Sequence, residues 1–280
     1  RVKVEGRRDL DTDPYRGLHN ETGRFIPTGI PSMDEALNDL APGRTTLVVG
    51  RAGGGKTTLI RQVIANAIGE GAKVYLVNGE GDPELFLNAL YCCVIGKDQS
   101  MYCRYQVNKR WHKEPTKEVL TALRQWHRGK LTMFNKGDSK LKTLDQLFKV
   151  IEDEVKFKGH DLIVLDNLMS LLTATAAEKL ELQGEFMQRC CDLAKVYRCH
   201  FIIVAHPNKT YAKGQDMDFE QTSGSSDLYN KADNVIAVIR HYGEDKKFDG
   251  KLQLLKNRYY RELESVDLKY DADTGLLQED

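Results

Sequence analysis

The stretch VVGRAGGGKTT, residues 48–58, joins the end of an apolar run to a glycine-rich turn, a lysine and two hydroxyl side chains. Gly50-Arg51-Ala52-Gly53-Gly54-Gly55-Lys56-Thr57 matches G-x-x-x-x-G-K-[ST] in full, and Thr58 follows it. Glycines let successive N–H groups converge on phosphate oxygens without Cβ clashes. A helix that starts near Lys56 turns its positive end on the same phosphates. Lys56 supplies a mobile charge for the β and γ phosphates, and Thr57 a hydroxyl for Mg²⁺. The setting fits the motif, since the apolar strand TTLVVG precedes it and the amphipathic helix KTTLIRQVIANAIGEG follows. The loop is therefore expected to hold a nucleoside triphosphate, ATP or another NTP or dNTP, together with Mg²⁺.

Outward from this loop, strands alternate with helices. KVYLVNGE, DLIVLDN and CHFIIVAHPNK read as strands, and the second is fully apolar, as a sheet covered on both faces requires. TLDQLFKVIEDEV places Leu144, Leu147, Phe148, Ile151 and Val155 on one helical face. A later helix carries Leu182, Phe186, Cys190, Leu193 and Tyr197 at the same spacing. GIPSMDEAL reads as a turn and a short helix. ADNVIAVIRH, GKLQLLKNRYY and LESVDLKYDADTG follow one another with short turns and suggest an antiparallel extension. The alternation implies an α/β fold with a mostly parallel sheet.

Three strand ends carry polar groups suited to the chemistry. A metal held by Thr57 needs a second oxygen donor, and Asp166 closes DLIVLD. Hydrolysis needs a group to orient or deprotonate water, and Glu80 ends KVYLVNGE. His206 ends FIIVAH and can sense the γ-phosphate by hydrogen bonding. In an open parallel sheet, ligands sit at the carboxyl ends of the strands, so all three are expected at one edge.

The 280 residues suit one large domain or two small ones. Hydrophobic residues make up 41% and charged residues 29%, a globular composition, and Lys+Arg and Asp+Glu both number 41. The zero net charge gives no sign of a globally basic nucleic-acid binder and leaves room for a local patch. Residues 97–149 are such a segment, with 13 Lys/Arg against 5 Asp/Glu, two tryptophans and two histidines. They read as solvated helical faces, or as a surface near nucleic acid or a neighbouring subunit. No apolar run approaches the ~20 residues that span a bilayer. The charged N-terminus is unlike a secretory leader, and a start at Arg1 reads as a fragment or a processed product. The six cysteines read as small buried thiols in a reducing compartment, cytoplasmic or organellar, and a zinc site from Cys92, Cys93, Cys103 and His112 is the weaker reading.

The order of motifs resembles RecA-like ring helicases. Lys56-Thr57, Glu80, Asp166-Asn167, His206-Pro207 and Lys256-Asn257-Arg258 occur in that family's sequence order. DLIVLDNLMSLL, IIVAHPNK, KADNVIAV and LLKNRYYRELESVDLKYDADTG are similar to the helicase domains of phage primase–helicases and mitochondrial Twinkle, relatives of bacterial DnaB. The likeness covers roughly residues 26–278, and the late KNR strand narrows it beyond the phosphate loop shared by many ATPases.

The resemblance implies a RecA-like P-loop NTPase fold over 26–280, with residues 1–25 as a linker or subunit-packing arm. It implies a DNA helicase, a hexameric ring of identical subunits moving 5′→3′ on single-stranded DNA and opening a forked duplex. Primase or other replication proteins would be partners. Glu80 looks like the catalytic glutamate, Asp166 like the metal-site aspartate and His206 like the phosphate sensor. Arg258 looks like an arginine finger with Lys256 beside it, both reaching a neighbouring subunit's site. Tyr270 is placed like a residue that stacks on the base, although a packed strand tyrosine would look the same. HPNKTYAKGQDMDFEQTSGSSDLYNKAD, from His206, matches a central-channel loop, with Lys209, Lys213 and the amides around Gly224 and Ser225 facing DNA phosphates. Here the chain departs from some relatives: residue 223 is Ser where phage enzymes can carry Arg, and Asp216, Asp218 and Glu220 dilute the charge. PTGIPSMDEAL also suits RecA, RadA or KaiC-like ATPases of recombination or signalling. A nucleotide-gated DNA loader is a further alternative.

Overall fold

The computed structural model describes residues 23–79, 81–135, 143–167, 176–206, 226–241, 249–260 and 264–279. Helix α1 (Pro31–Leu37) precedes strand β1 (Thr45–Val49), the phosphate loop and helix α2 (Lys56–Gly69). Strand β2 (Val74–Asn78) and helix α3 (Pro83–Ile95) lead to a hairpin, β3 (Tyr102–Val107) and β4 (Arg110–Pro115). Helix α4 (Lys117–Trp126), strand β5 (Leu131–Asn135), helix α5 (Leu144–Lys158) and strand β6 (Leu162–Asp166) come next. Helix α6 (Ala176–Tyr197) and strand β7 (His200–Ala205) precede helix α7 (Ser226–Lys231) and strand β8 (Asn234–Arg240). The chain closes with β9 (Gly250–Asn257), β10 (Ser265–Asp271) and β11 (Leu276–Glu279).

Among the described residues these strands form a nine-stranded sheet in the order β11-β10-β9-β8-β1-β7-β6-β2-β5. The six strands from β8 to β5 are parallel. Strands β9, β10 and β11 extend the sheet in antiparallel fashion. This is the expected mostly parallel sheet with a C-terminal antiparallel extension.

Burial on both faces explains the apolar strands. Leu47 and Val49 join one core cluster with Tyr75, Ile163, Phe148 and Phe186, under α5 and α6. Val48 points the other way, into a second cluster with Val74, Val164, Leu59 and Ile64 under α1 and α2. Helix ends follow local chemistry. Asp82 caps α3 by accepting from the amides of Glu84 and Leu85, with Pro83 at the first helical position. Thr143 and Gln146 close a capping box on α5, and Gly159 ends that helix in the left-handed region.

The segment 97–149 is helical only in part, in α4 and the start of α5. Residues 102–115 form the two-stranded hairpin β3–β4, outside the main sheet, and β5 adds a parallel edge strand to β2. Cross-strand pairs such as Tyr105 on His112 alternate with period two, which the charge count concealed. The cysteine reading holds for Cys93, Cys190, Cys191 and Cys199, which are buried, but Cys103 is exposed on the outer face of this hairpin. Among the described residues no cluster of His, Cys, Asp and Glu could hold a metal, so the zinc alternative falls. No described helix is long and apolar enough to cross a membrane.

One buried histidine couples this core to pH. His200 opens β7 fully buried, 2.9 Å from Thr46 Oγ1 and 2.7 Å from the Ala41 carbonyl. Burial pushes its pKa down from 6.5 to about 4, so the folded state keeps it neutral where the unfolded chain binds a proton. Stability from this site is complete above pH 6.5 and is lost as pH falls toward 4, by about 3 kcal/mol at ~1.4 kcal/mol per pH unit. Urea unfolding of His200→Gln between pH 7 and 4 is expected to show a flatter pH dependence than wild type. Parallel curves would place the acid sensitivity elsewhere.

Candidate functional site

The carboxyl ends of the parallel strands line one edge of the sheet and border a cavity of about 780 Å³. Gly50 leaves β1 so close to β8 that a Cβ there would lie 2.6 Å from the Val238 carbonyl oxygen. Gly55 has φ +101, a conformation that side chains other than glycine's rarely adopt. Glycine at both positions is thus a steric requirement, and it lets the loop backbone face the cavity with α2 starting at its base.

Lys56 is buried, and its Nζ donates to the carbonyls of Gly50 (2.5 Å) and Arg51 (2.9 Å). It also lies 3.3 Å from His206 Nδ1, while His206 Nε2 lies 3.2 Å from the side-chain amide of Asn167. Lysine can only donate, so Nδ1 accepts in the bond to Lys56. Thr57 Oγ1 donates to Asp166 Oδ2 at 3.3 Å. A hydroxyl and a carboxylate side by side on the cavity wall are hard oxygen donors, and their chemistry fits Mg²⁺. Lys56, Thr57, Thr58, Asp166 and His206, with Ala52 and the glycines 53–55 of the loop, all border this one cavity.

Glu80 lies outside the described residues. Its neighbourhood is nonetheless built. Asn78 pairs in register with Asp166, Gly79 N donates to the Asp166 carbonyl at 2.6 Å, and Asn78 and Gly81 line the cavity. Lys209, Lys213, Gly224 and Ser225 also lie outside the described residues, between His206 and α7.

Tyr270 is 45% exposed on the cavity wall, which Leu85, Phe86, Leu268 and its cross-strand partner Leu277 also line. These side chains offer an apolar, partly aromatic surface of the kind a nucleobase stacks on. Several lining residues escaped sequence reasoning, among them Arg61, Asn78, Arg240 and Lys251. Arg240 Nη1 lies 3.4 Å from the Gly53 carbonyl, and Arg61 bonds the Thr57 carbonyl and the Thr58 hydroxyl at 3.2 Å each. Arg240 and Asn78 were findable, since each ends a buried parallel strand, as Asp166 and His206 do. Arg61 and Lys251 carry no such signal.

Arg258 and Lys256 are not among the residues that line this cavity. Arg258 sits in a turn just past β9 rather than within the strand as read from GKLQLLKNRYY, because β9 ends at Asn257. There Asn257 Oδ1 accepts from the amides of Tyr259 and Tyr260 and folds the chain back. Arg258 Nη1 bonds Asp233 Oδ1 at 3.2 Å and Nη2 donates to the Asn230 carbonyl at 2.8 Å. Lys256 Nζ donates to the carbonyls of Tyr229 (2.8 Å) and Asn230 (2.9 Å). Burial, and then the nearby Arg258, push the Lys256 pKa down to about 8.

Phosphate loop, strand-end carboxylate and parallel sheet together define a nucleotide-binding P-loop NTPase of RecA-like fold. The chain belongs to the AAA domain family, whose profile matches residues 13–212. None of the curated proteins compared with it matches. Among solved structures, one ATPase domain is similar over 95% of both chains, with a TM-score of 0.73 and 14% identity. A DnaB-like replicative helicase, solved for its interactions with primase, is similar over 97% of this chain and 69% of its own, with a TM-score of 0.74 and 14% identity. A KaiC-like protein from Pyrococcus horikoshii OT3 covers 91% of this chain and 99% of its own, at a TM-score of 0.61 and 16% identity. The fold is thus that of the DnaB-type helicase domains which the motif order resembles.

Proposed function

We propose that this chain is the motor domain of an NTP-driven DNA helicase, a ring that moves 5′→3′ on single-stranded DNA and opens a forked duplex. The observation that carries the reading is a division of labour. Lys56, Thr57, Asp166 and His206 line the chain's own cavity, whereas Arg258 and Lys256 are held apart from it. Arg61 and Arg240 border the cavity from the chain itself, whereas a finger held outside it, as Arg258 is, can serve a neighbour's site, and a ring supplies one at every interface. Residues 1–25 serve as the arm between subunits, and primase or other replication proteins are its partners.

The loop amides and Lys56 bind the β and γ phosphates. Thr57 and Asp166 would hold Mg²⁺, which would supply positive charge against the phosphate oxygens. Glu80 orients or deprotonates the attacking water, and His206 reports the γ-phosphate through its bonds to Lys56 and Asn167. Tyr270 stacks on the base. Lys209, Lys213 and the amides at Gly224 and Ser225 grip DNA phosphates in the channel.

Unwinding of a forked duplex bearing either a 5′ or a 3′ loading tail, with ATP, tests the reading. Unwinding that needs the 5′ tail is expected. Strand exchange or autophosphorylation without unwinding would favour the RecA- and KaiC-like alternative, and binding without turnover would favour a loader. Lys209→Ala with Lys213→Ala is expected to weaken single-strand binding and flatten its salt dependence, since each lost phosphate contact releases one counterion fewer. Turnover without DNA should change little. If the salt slopes coincide with wild type, the basic segment 97–149 becomes the better candidate for the DNA contact.

A further inference from the structure

Asp233 precedes β8 and is 2% exposed, and the reactions described so far make no use of it. Its two carboxylate oxygens have different tasks. Oδ2 accepts from the Thr45 amide at 2.9 Å and the Thr45 hydroxyl at 3.2 Å, and Thr45 is the first residue of β1. Oδ1 accepts from Arg258 Nη1 at 3.2 Å and lies 3.4 Å from the Tyr259 hydroxyl. The backbones are joined as well, since Arg258 N donates to the Asp233 carbonyl and Asp233 N to the Thr45 carbonyl, at 3.0 and 3.1 Å.

The other terminal nitrogen of Arg258 is held by a carbonyl. Nη2 bonds Asn230 O, which also accepts from Lys256 Nζ. Tyr259 is fixed in turn by the Arg44 guanidinium, 3.9 Å from its ring centroid. A buried carboxylate that already bonds a strand start is an immobile anchor, and a bond to a guanidinium limits the directions in which that guanidinium can point. The Arg258 side chain is 42% exposed beyond this anchor.

We infer that Asp233 is the positioning residue for Arg258: it fixes the guanidinium that one subunit offers to the next, and ties it to the start of the strand that ends in the phosphate loop. The inference rests on the in-trans reading of Arg258. Strand β1 is five residues long, so the finger a subunit lends and the nucleotide it holds lie at opposite ends of one short buried strand. A loss at Asp233 therefore damages the neighbour's site and spares the subunit's own.

Mixed assemblies test this. Asp233→Asn keeps an oxygen for the Thr45 amide and removes the charge that holds Arg258. Asp233→Asn alone is expected to bind nucleotide as wild type does and to hydrolyse it at least ~10-fold more slowly, a loss in kcat with KM nearly unchanged. Mixed with Glu80→Gln subunits it should regain activity, because the Glu80→Gln subunits bring intact fingers to its intact sites. Mixed with Arg258→Ala subunits it should regain none, because neither brings a working finger.

Recovery with Arg258→Ala would place the damage in the subunit's own site and overturn the inference, as would a variant faster than wild type, which would make the contact a latch. Asp233→Ser serves as a second variant. Loss of nucleotide binding in both would assign Asp233 to the fold and overturn the inference too. If Arg258→Ala and Glu80→Gln fail to complement each other, the in-trans reading fails first, and the two failures stay distinct.

Discussion

Arg258→Ala is expected to bind nucleotide nearly as wild type does and to hydrolyse it ~10³–10⁵-fold more slowly, the range seen when an arginine finger is withheld. Arg258 does not line the cavity its own chain forms and stands in the turn after β9. In the proposed ring, a guanidinium there would stabilise charge on a phosphate transferred in a second subunit. Mixing Arg258→Ala with Glu80→Gln subunits should restore part of the activity, since some interfaces then pair an intact Glu80 site with an intact Arg258. Turnover in the mixture no faster than in either variant, with co-assembly confirmed, would remove the main support for a ring motor. Full activity of Arg258→Ala alone would do the same.

Glu80→Gln is the second large effect. Turnover is expected to fall at least ~10²-fold with nucleotide binding nearly intact, because a carboxylate that orients or deprotonates water is replaced by an amide that cannot take the proton. The flanks of this residue bear on the prediction: Asn78 and Gly81 border the cavity, and Gly79 is bonded to the backbone of Asp166. Unchanged steady-state hydrolysis would transfer the role to a group that lines the cavity. Measured beside Arg258→Ala, the pair separates a defect in the chemistry within one subunit from a defect in what its neighbour lends.

These two residues also mark how far the sequence carries. Lys56, Thr57, Asp166 and His206 were legible because each stands at a fixed offset from a buried apolar run. A parallel sheet delivers such strand ends to one edge whatever the loops do. The α/β alternation was legible for the same reason, since strands covered on both faces must be apolar throughout, as LIVL in β6 is. The hairpin β3–β4 was not. Its cations dominate the composition, whereas its pairing depends on which residues face one another across a turn, and Tyr102 is buried only because the hairpin folds onto α3, where its hydroxyl bonds the Gly96 carbonyl.

By itself, the amino-acid sequence determined the nucleotide-binding loop, its strand-end partners and the mostly parallel sheet, all of which follow from local pattern and burial. Only the tertiary structure decided where the late cations go. Arg258 and Lys256 are close to β1 in space and far from it in sequence, and strand order places β9 beside β8 and β8 beside β1. That order brings Asp233 between Thr45 and Arg258, contacts that span 188 and 25 residues and that no local periodicity encodes.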